Sequence, residues 1–145
     1  MTAEQLVERF FAALSDLDAD GAAGLVGEDY EGFAIEEQPL KGKRSIYRGR
    51  AGIRAWIGEI ADNWQSFEIE VARLRRYDDV LLAIGVYEAG GRQSPFGEVT
   101  QRLPFASVIR VRDGLIRSIH SYARYEQAAR AEGLPLGERS LDQPQ

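Results

Sequence analysis

The chain has 145 residues, 44% of them apolar and 28% charged, and a net charge of −5, which fits one domain able to bury a core. Its scattered basic residues leave no electrostatic footprint for nucleic acid, and no apolar run nears the roughly 20 residues that span a bilayer. The absence of cysteine excludes disulfides, thiolate catalysis and cysteine-ligated zinc.

The opening "MTAEQLVERFFAAL" mixes acids with apolar residues and lacks a basic leader, so it reads as a helix rather than a signal peptide. The location expected from this is cytoplasmic. Leu6, Phe10, Ala13, Leu14 and Leu17 recur at helical spacing, with Thr2 as N-cap. "ADGAAGLVGE" predicts a short second helix stopping at Gly27, and "DYEGFAIEE" a short strand. "QPLKGKRSIYRG" brings proline, glycine and clustered basic charge, the marks of a solvated loop. Ile53, Trp56, Ile57, Ile60 and Trp64 then form one apolar stripe on a third helix.

After that helix the period changes to two. "SFEIEVARLRRY" alternates apolar and charged residues, and "DVLLAIGVYEAGG" is a more continuously apolar strand reached through Asp78-Asp79. "GEVTQRLPFASVIRVR" and "GLIRSIHSYARY" follow, joined by a turn at Asp113-Gly114. Pro104 predicts an edge position or a bulge. "YEQAARAEGL" predicts a last helix ending at Gly133. The expected fold class is α+β: a curved, cone-shaped antiparallel sheet packed on three helices of the N-terminal half. The expected domain is 1–134, with 135–145 as a flexible tail. Helices on the concave side of such a sheet enclose a cone whose mouth can accept a small ligand.

The strings "LVERFFAALSDLDADGAAGLVGEDY", "YRGRAGIRAW", "PFASVIRVRDGLI" and "SYARYEQAARAEGL" resemble the SnoaL-like group of the nuclear transport factor 2-like superfamily. The resemblance covers almost the whole chain. The group holds isomerases, epoxide hydrolases, polyketide cyclases, dehydratases and silent binding modules, so the fold names no reaction. Ketosteroid isomerases need a tyrosine, a protonated aspartic acid and an aspartate base where this chain has Phe10, Ser107 and Ala34. The arginine and two aspartates of limonene-epoxide-hydrolase-like members fall on Val86, Glu88 and Ser121. The acid of the polyketide cyclases is again Ser121, and scytalone-dehydratase-like members need two histidines where this chain has one. None of these catalytic sets is intact.

The resemblance also implies which strand faces look inward. In the last strand it puts Ile119, Ser121 and Ala123 inside, and Ile116, Ser118, His120 and Tyr122 outside. The preceding strand then offers Leu103, Phe105, Ser107 and Ile109 to the interior. For "DVLLAIGVYEAGG" the inward set is taken as Leu82, Ile84, Val86 and Glu88. Glu88 would be a desolvated carboxylate, hence a usable general acid or base, with Glu37 facing it as the second carboxylate of a pair. Substrate contacts are expected from Phe10, Phe33, Trp56, Gln101, Phe105, Ser107, Ile119 and Ser121.

Two functions follow. One is a cofactor-independent, metal-free isomerase, cyclase or hydrolase acting on a small apolar or aromatic ligand. The other is a non-catalytic hydrophobic-ligand or dimerisation module. A homodimer through the convex sheet face is implied by the fold family. His120, Tyr122 and Tyr87 would lie on that face, and no nucleic-acid or membrane partner is expected.

Overall fold

The computed structural model describes residues 1–35, 44–94 and 97–135, with the side chains of residues 92–101 outside that description. Helix α1 (Ala3–Ser15) begins at Thr2, whose hydroxyl accepts from the Gln5 N–H while the Gln5 side chain accepts from the Thr2 N–H. This reciprocal capping box satisfies two donors that a helix start leaves open. Short α2 (Ala19–Ala23) leads into β1 (Val26–Phe33), which starts before the expected position. A three-residue strand β2 (Ile46–Arg48) pairs antiparallel with β1, in a stretch expected to be loop. Helix α3 (Gly49–Asn63) follows. It buries Ile53, Ile57 and Ile60, and its stripe continues into buried Trp64.

Strands β3 (Ser66–Tyr77), β4 (Val80–Ser94), β5 (Gly97–Arg112) and β6 (Leu115–Tyr122) run in antiparallel succession. Asp113 and Gly114 both take positive φ, 54° and 73°, the pair a two-residue hairpin turn requires. The sheet order is β2-β1-β6-β5-β4-β3. It is mixed rather than wholly antiparallel, because β1 lies parallel to β6. Pro104 sits on an interior strand. Yet the pairing of β5 with β6 ends at Ala106 and Tyr122, so the missing N–H falls where β6 has already stopped.

The curvature comes from four interruptions of register: in β1 between Val26 and Glu31, in β3 between Val71 and Arg73, in β4 between Gly90 and Arg92, and in β6 opposite Arg110 and Val111. Each extra residue bends and twists its strand. The last one also corrects an expectation. With Arg117 bulged out, Ile116 turns to the same side as Ile119, and both are buried in the core beneath α1 and α3.

The two sheet faces carry separate cores. On the concave side, α1 and α3 pack over Leu81, Ala83, Tyr87, Phe105, Ile109 and Ile119. On the convex side, helix α4 (Tyr125–Glu132) seats Tyr125, Ala128 and Ala129 on Val80, Leu82, Ile84, Ala106 and Val108. α4 therefore occupies part of the face on which a partner subunit was expected. It ends at Gly133 in the left-handed conformation (φ 73°), which a residue without Cβ adopts freely.

Candidate functional site

The concave face and the helices above it enclose a cavity. It measures about 690 Å³ counted out through its mouth, of which the centre of a water molecule can reach about 70 Å³. By the second measure one water needs roughly 10–15 Å³, so the space suits a small organic molecule. α1 contributes Phe10, Phe11 and Leu14, and α3 contributes Ile53 and Trp56. Tyr30, Gly32 and Phe33 of β1, followed by Ala34 and Ile35, form another wall with Tyr47 of β2. Ile69, Tyr87, Phe105, Ser107, Ile119 and Ser121 come from β3 to β6.

The walls are mainly aromatic and aliphatic, with a few neutral polar groups. Ser107, 3% exposed, lies 2.8 Å from Ser121, Oγ to Oγ. The two residues are direct cross-strand partners, so their side chains share the face. Tyr47 donates its hydroxyl to Glu59 at 2.8 Å. The indole Nε1 of Trp56 is buried and has no hydrogen-bond partner among the described residues. Burial pushes the phenols of Tyr30 and Tyr87 well above their usual range, leaving them protonated donors at neutral pH. Among the described residues, no carboxylate, histidine or basic side chain lines the cavity, and no group of side chains could hold a metal ion.

Of the residues singled out in the sequence, Phe10, Phe33, Trp56, Phe105, Ser107, Ile119 and Ser121 all border this cavity. Phe33 does so while its ring stacks on His120, centroids 4.7 Å apart. Glu37 and the side chain of Gln101 lie outside the described residues. Glu88 is a correction. Its side chain is 53% exposed, stands 3.9 Å from Arg102, and borders no part of the cavity. Register explains why: Glu88 is the cross-strand partner of Arg102, whereas Tyr87 is the partner of Leu103. Opposed residues share a face. Once Leu103, Phe105 and Ser107 look inward, β4 must present Ala83, Gly85 and Tyr87, not Leu82, Val86 and Glu88.

Tyr87 is thereby removed from the convex face, where it had been grouped with His120 and Tyr122. Those two remain there together. His120 is sandwiched between Phe33 and Tyr122, with centroids 4.5 Å from the latter. Its Nδ1 is 3.7 Å from Glu132, which also accepts from Tyr122 at 2.8 Å and from Arg110 at 3.0 Å. Sequence reasoning missed Phe11, Tyr30, Tyr47 and Tyr87 as wall residues. Only for Tyr87 was a signal present, in the pairing of β4 with β5.

Comparison with known proteins agrees with this architecture. The profile of the SnoaL-like domain family matches residues 7–119. No curated protein matches the sequence. Several solved structures share the fold at low identity. TerC, co-crystallised with polyporic acid, superposes with a TM-score of 0.69 at 18% identity, over 88% of this chain and 95% of TerC. A protein of ketosteroid isomerase-like fold from Catenulispora acidiphila, in complex with trimethylamine, gives 0.71 at 19% identity over 92% and 96%. An NTF2-like protein of unknown function from Burkholderia pseudomallei gives 0.69 at 14% identity over 88% and 94%. With a curved sheet, three helices on its concave side and a profile match across most of its length, the chain belongs to the SnoaL-like domain family.

Proposed function

We propose that the protein binds a small apolar or aromatic molecule in the concave cavity and orients an oxygen of that molecule on the Ser107–Ser121 pair. The observation carrying this is the lining: aromatic and aliphatic walls around two hydroxyls 2.8 Å apart, with no charged side chain among the described residues that form it. Apolar walls supply affinity through burial of ligand surface, and a few placed polar groups supply orientation. Two relatives of the same fold were crystallised with small organic molecules, polyporic acid and trimethylamine, which supports a ligand-holding role.

Holding is favoured over acid–base chemistry. Such chemistry needs a titratable group within hydrogen-bond reach of the substrate, and Glu88 is exposed beside Arg102 instead. The test uses 2-naphthol as ligand, followed by calorimetry and thermal shift. Binding should be flat between about pH 6 and 8, since among the described residues no histidine or carboxylate lines the cavity. Replacing both serines by alanine should weaken it roughly five- to tenfold, the range of one or two lost hydrogen bonds, while Glu88→Gln leaves it unchanged. Absence of binding, or loss of binding in Glu88→Gln, would overturn the reading.

A further inference from the structure

The serine pair is one polar pole of the cavity, and β1 holds another. Tyr30 is 3% exposed and lines the cavity, and burial alone pushes its phenol above the usual range, with no neighbouring hydrogen-bond partner or charge among the described residues contributing. Buried phenols normally find one. The position of this phenol is built into the strand. A Cβ at Gly32 would fall 2.3 Å from the Tyr30 hydroxyl oxygen and 2.9 Å from its Cζ. The ring therefore lies across Gly32, which itself lines the cavity, and any larger residue at 32 would displace it.

Gly32 is the Cα partner of Ile119 on the parallel neighbour β6, and Ser121 lies two residues further along that strand. The Tyr30 hydroxyl and the serine pair are thus diagonal neighbours on one sheet face. Strand spacing and rise put such positions ~8 Å apart. Neither pole is charged. The serines use one hydrogen in their mutual bond and keep one O–H free, and Tyr30 offers another.

We infer that Tyr30, held over Gly32, is a second hydrogen-bonding pole that selects neutral, elongated ligands carrying an oxygen at each end. This rests on the small-molecule reading above and adds the specificity of its site. An anionic or cationic end group would be desolvated at either pole with no counter-charge among the described residues that line the cavity.

The experiment compares 2-naphthol with 2,6-dihydroxynaphthalene, which adds a second oxygen at the far end of the same ring system. The native protein should bind the diol roughly tenfold more tightly, the size of one good hydrogen bond in a dry site. Tyr30→Phe should bring that ratio close to one. As a readout independent of any variant, the Tyr30 Cζ resonance of ¹³C-tyrosine-labelled native protein should move with the diol and stay with 2-naphthol. Equal binding of both compounds, or a ratio that survives Tyr30→Phe, overturns the second pole alone. If neither compound binds, the small-molecule reading falls and takes the pole with it.

Discussion

Gly32 shows how much one missing Cβ can decide. The strand face opposite Ile119 would otherwise be filled by a side chain, and the Tyr30 ring would have to swing away. Gly32→Ala should therefore destabilise the protein by about 1–3 kcal/mol, the usual cost of overpacking a tight interior site. Gly24→Ala is the matched control. There the nearest atom to the new Cβ is 3.6 Å away, and the backbone is already helical with φ −67°. Chemical denaturation of the two variants should separate them clearly, and equal stabilities would refute the packing argument. At this scale the resemblance placed Ser107, Ile119 and Ser121 on the cavity side, where they lie, but nothing in the sequence marked Tyr30. A tyrosine two residues before a glycine has no signature of its own; only the folded strand shows that the ring lies across the gap.

Among the elements, α4 is the one whose placement was least expected. Its helical character follows from the periodicity of Tyr125, Ala128 and Ala129 and from the stop at Gly133. Nothing local says which sheet face it covers. In the structure it closes the convex core, with Tyr125 fully buried and donating its hydroxyl to the Pro135 carbonyl. Tyr125→Ala should cost about 3–5 kcal/mol, as removal of a buried aromatic ring does, and should raise amide exchange first in α4 and in the facing residues of β4 and β5. Exchange that stayed native in those strands would show that the helix contributes little to that core. The bulges make the complementary point. Arg117 leaves the ladder and pairs instead with Asp29 at 2.8 Å. A strict alternation therefore misplaces Ile116 while placing Ile119 and Ser121 well.

For the molecule as a whole, acid should be destabilising, because the convex cluster binds fewer protons folded than unfolded. Burial lowers the His120 pKa from its ordinary 6.5, and Arg110 lowers it further, against the opposing pull of Glu132. Burial would raise Glu132, but the Tyr122 hydroxyl and Arg110 outweigh it and hold its carboxyl below 4.5. Both pKa values are depressed on folding. Their stabilisation is full above the unfolded values and is lost as pH falls through the folded ones. The melting temperature should thus decline first below pH 6.5, as unfolded His120 begins to take up a proton, and again below 4.5 with Glu132. The effect of His120 is modest, since its side chain is 40% exposed and solvent screens its partners. His120→Phe preserves an aromatic stack and should flatten the first decline; an unchanged slope would assign that decline to other groups.

What the sequence determined by itself is the α+β class and the extents of α1, α3 and the long hairpin strands. Each of these rests on periodicity or turn chemistry that is complete within a few neighbouring residues. What only the tertiary structure decided is the facing of β4, the parallel seating of β1 beside β6, and the place of α4. These depend on register and on contacts between residues far apart in the chain. A one-residue change of register sends every side chain of a strand to the other face, and so exchanged Glu88 for Tyr87 in the wall of the cavity.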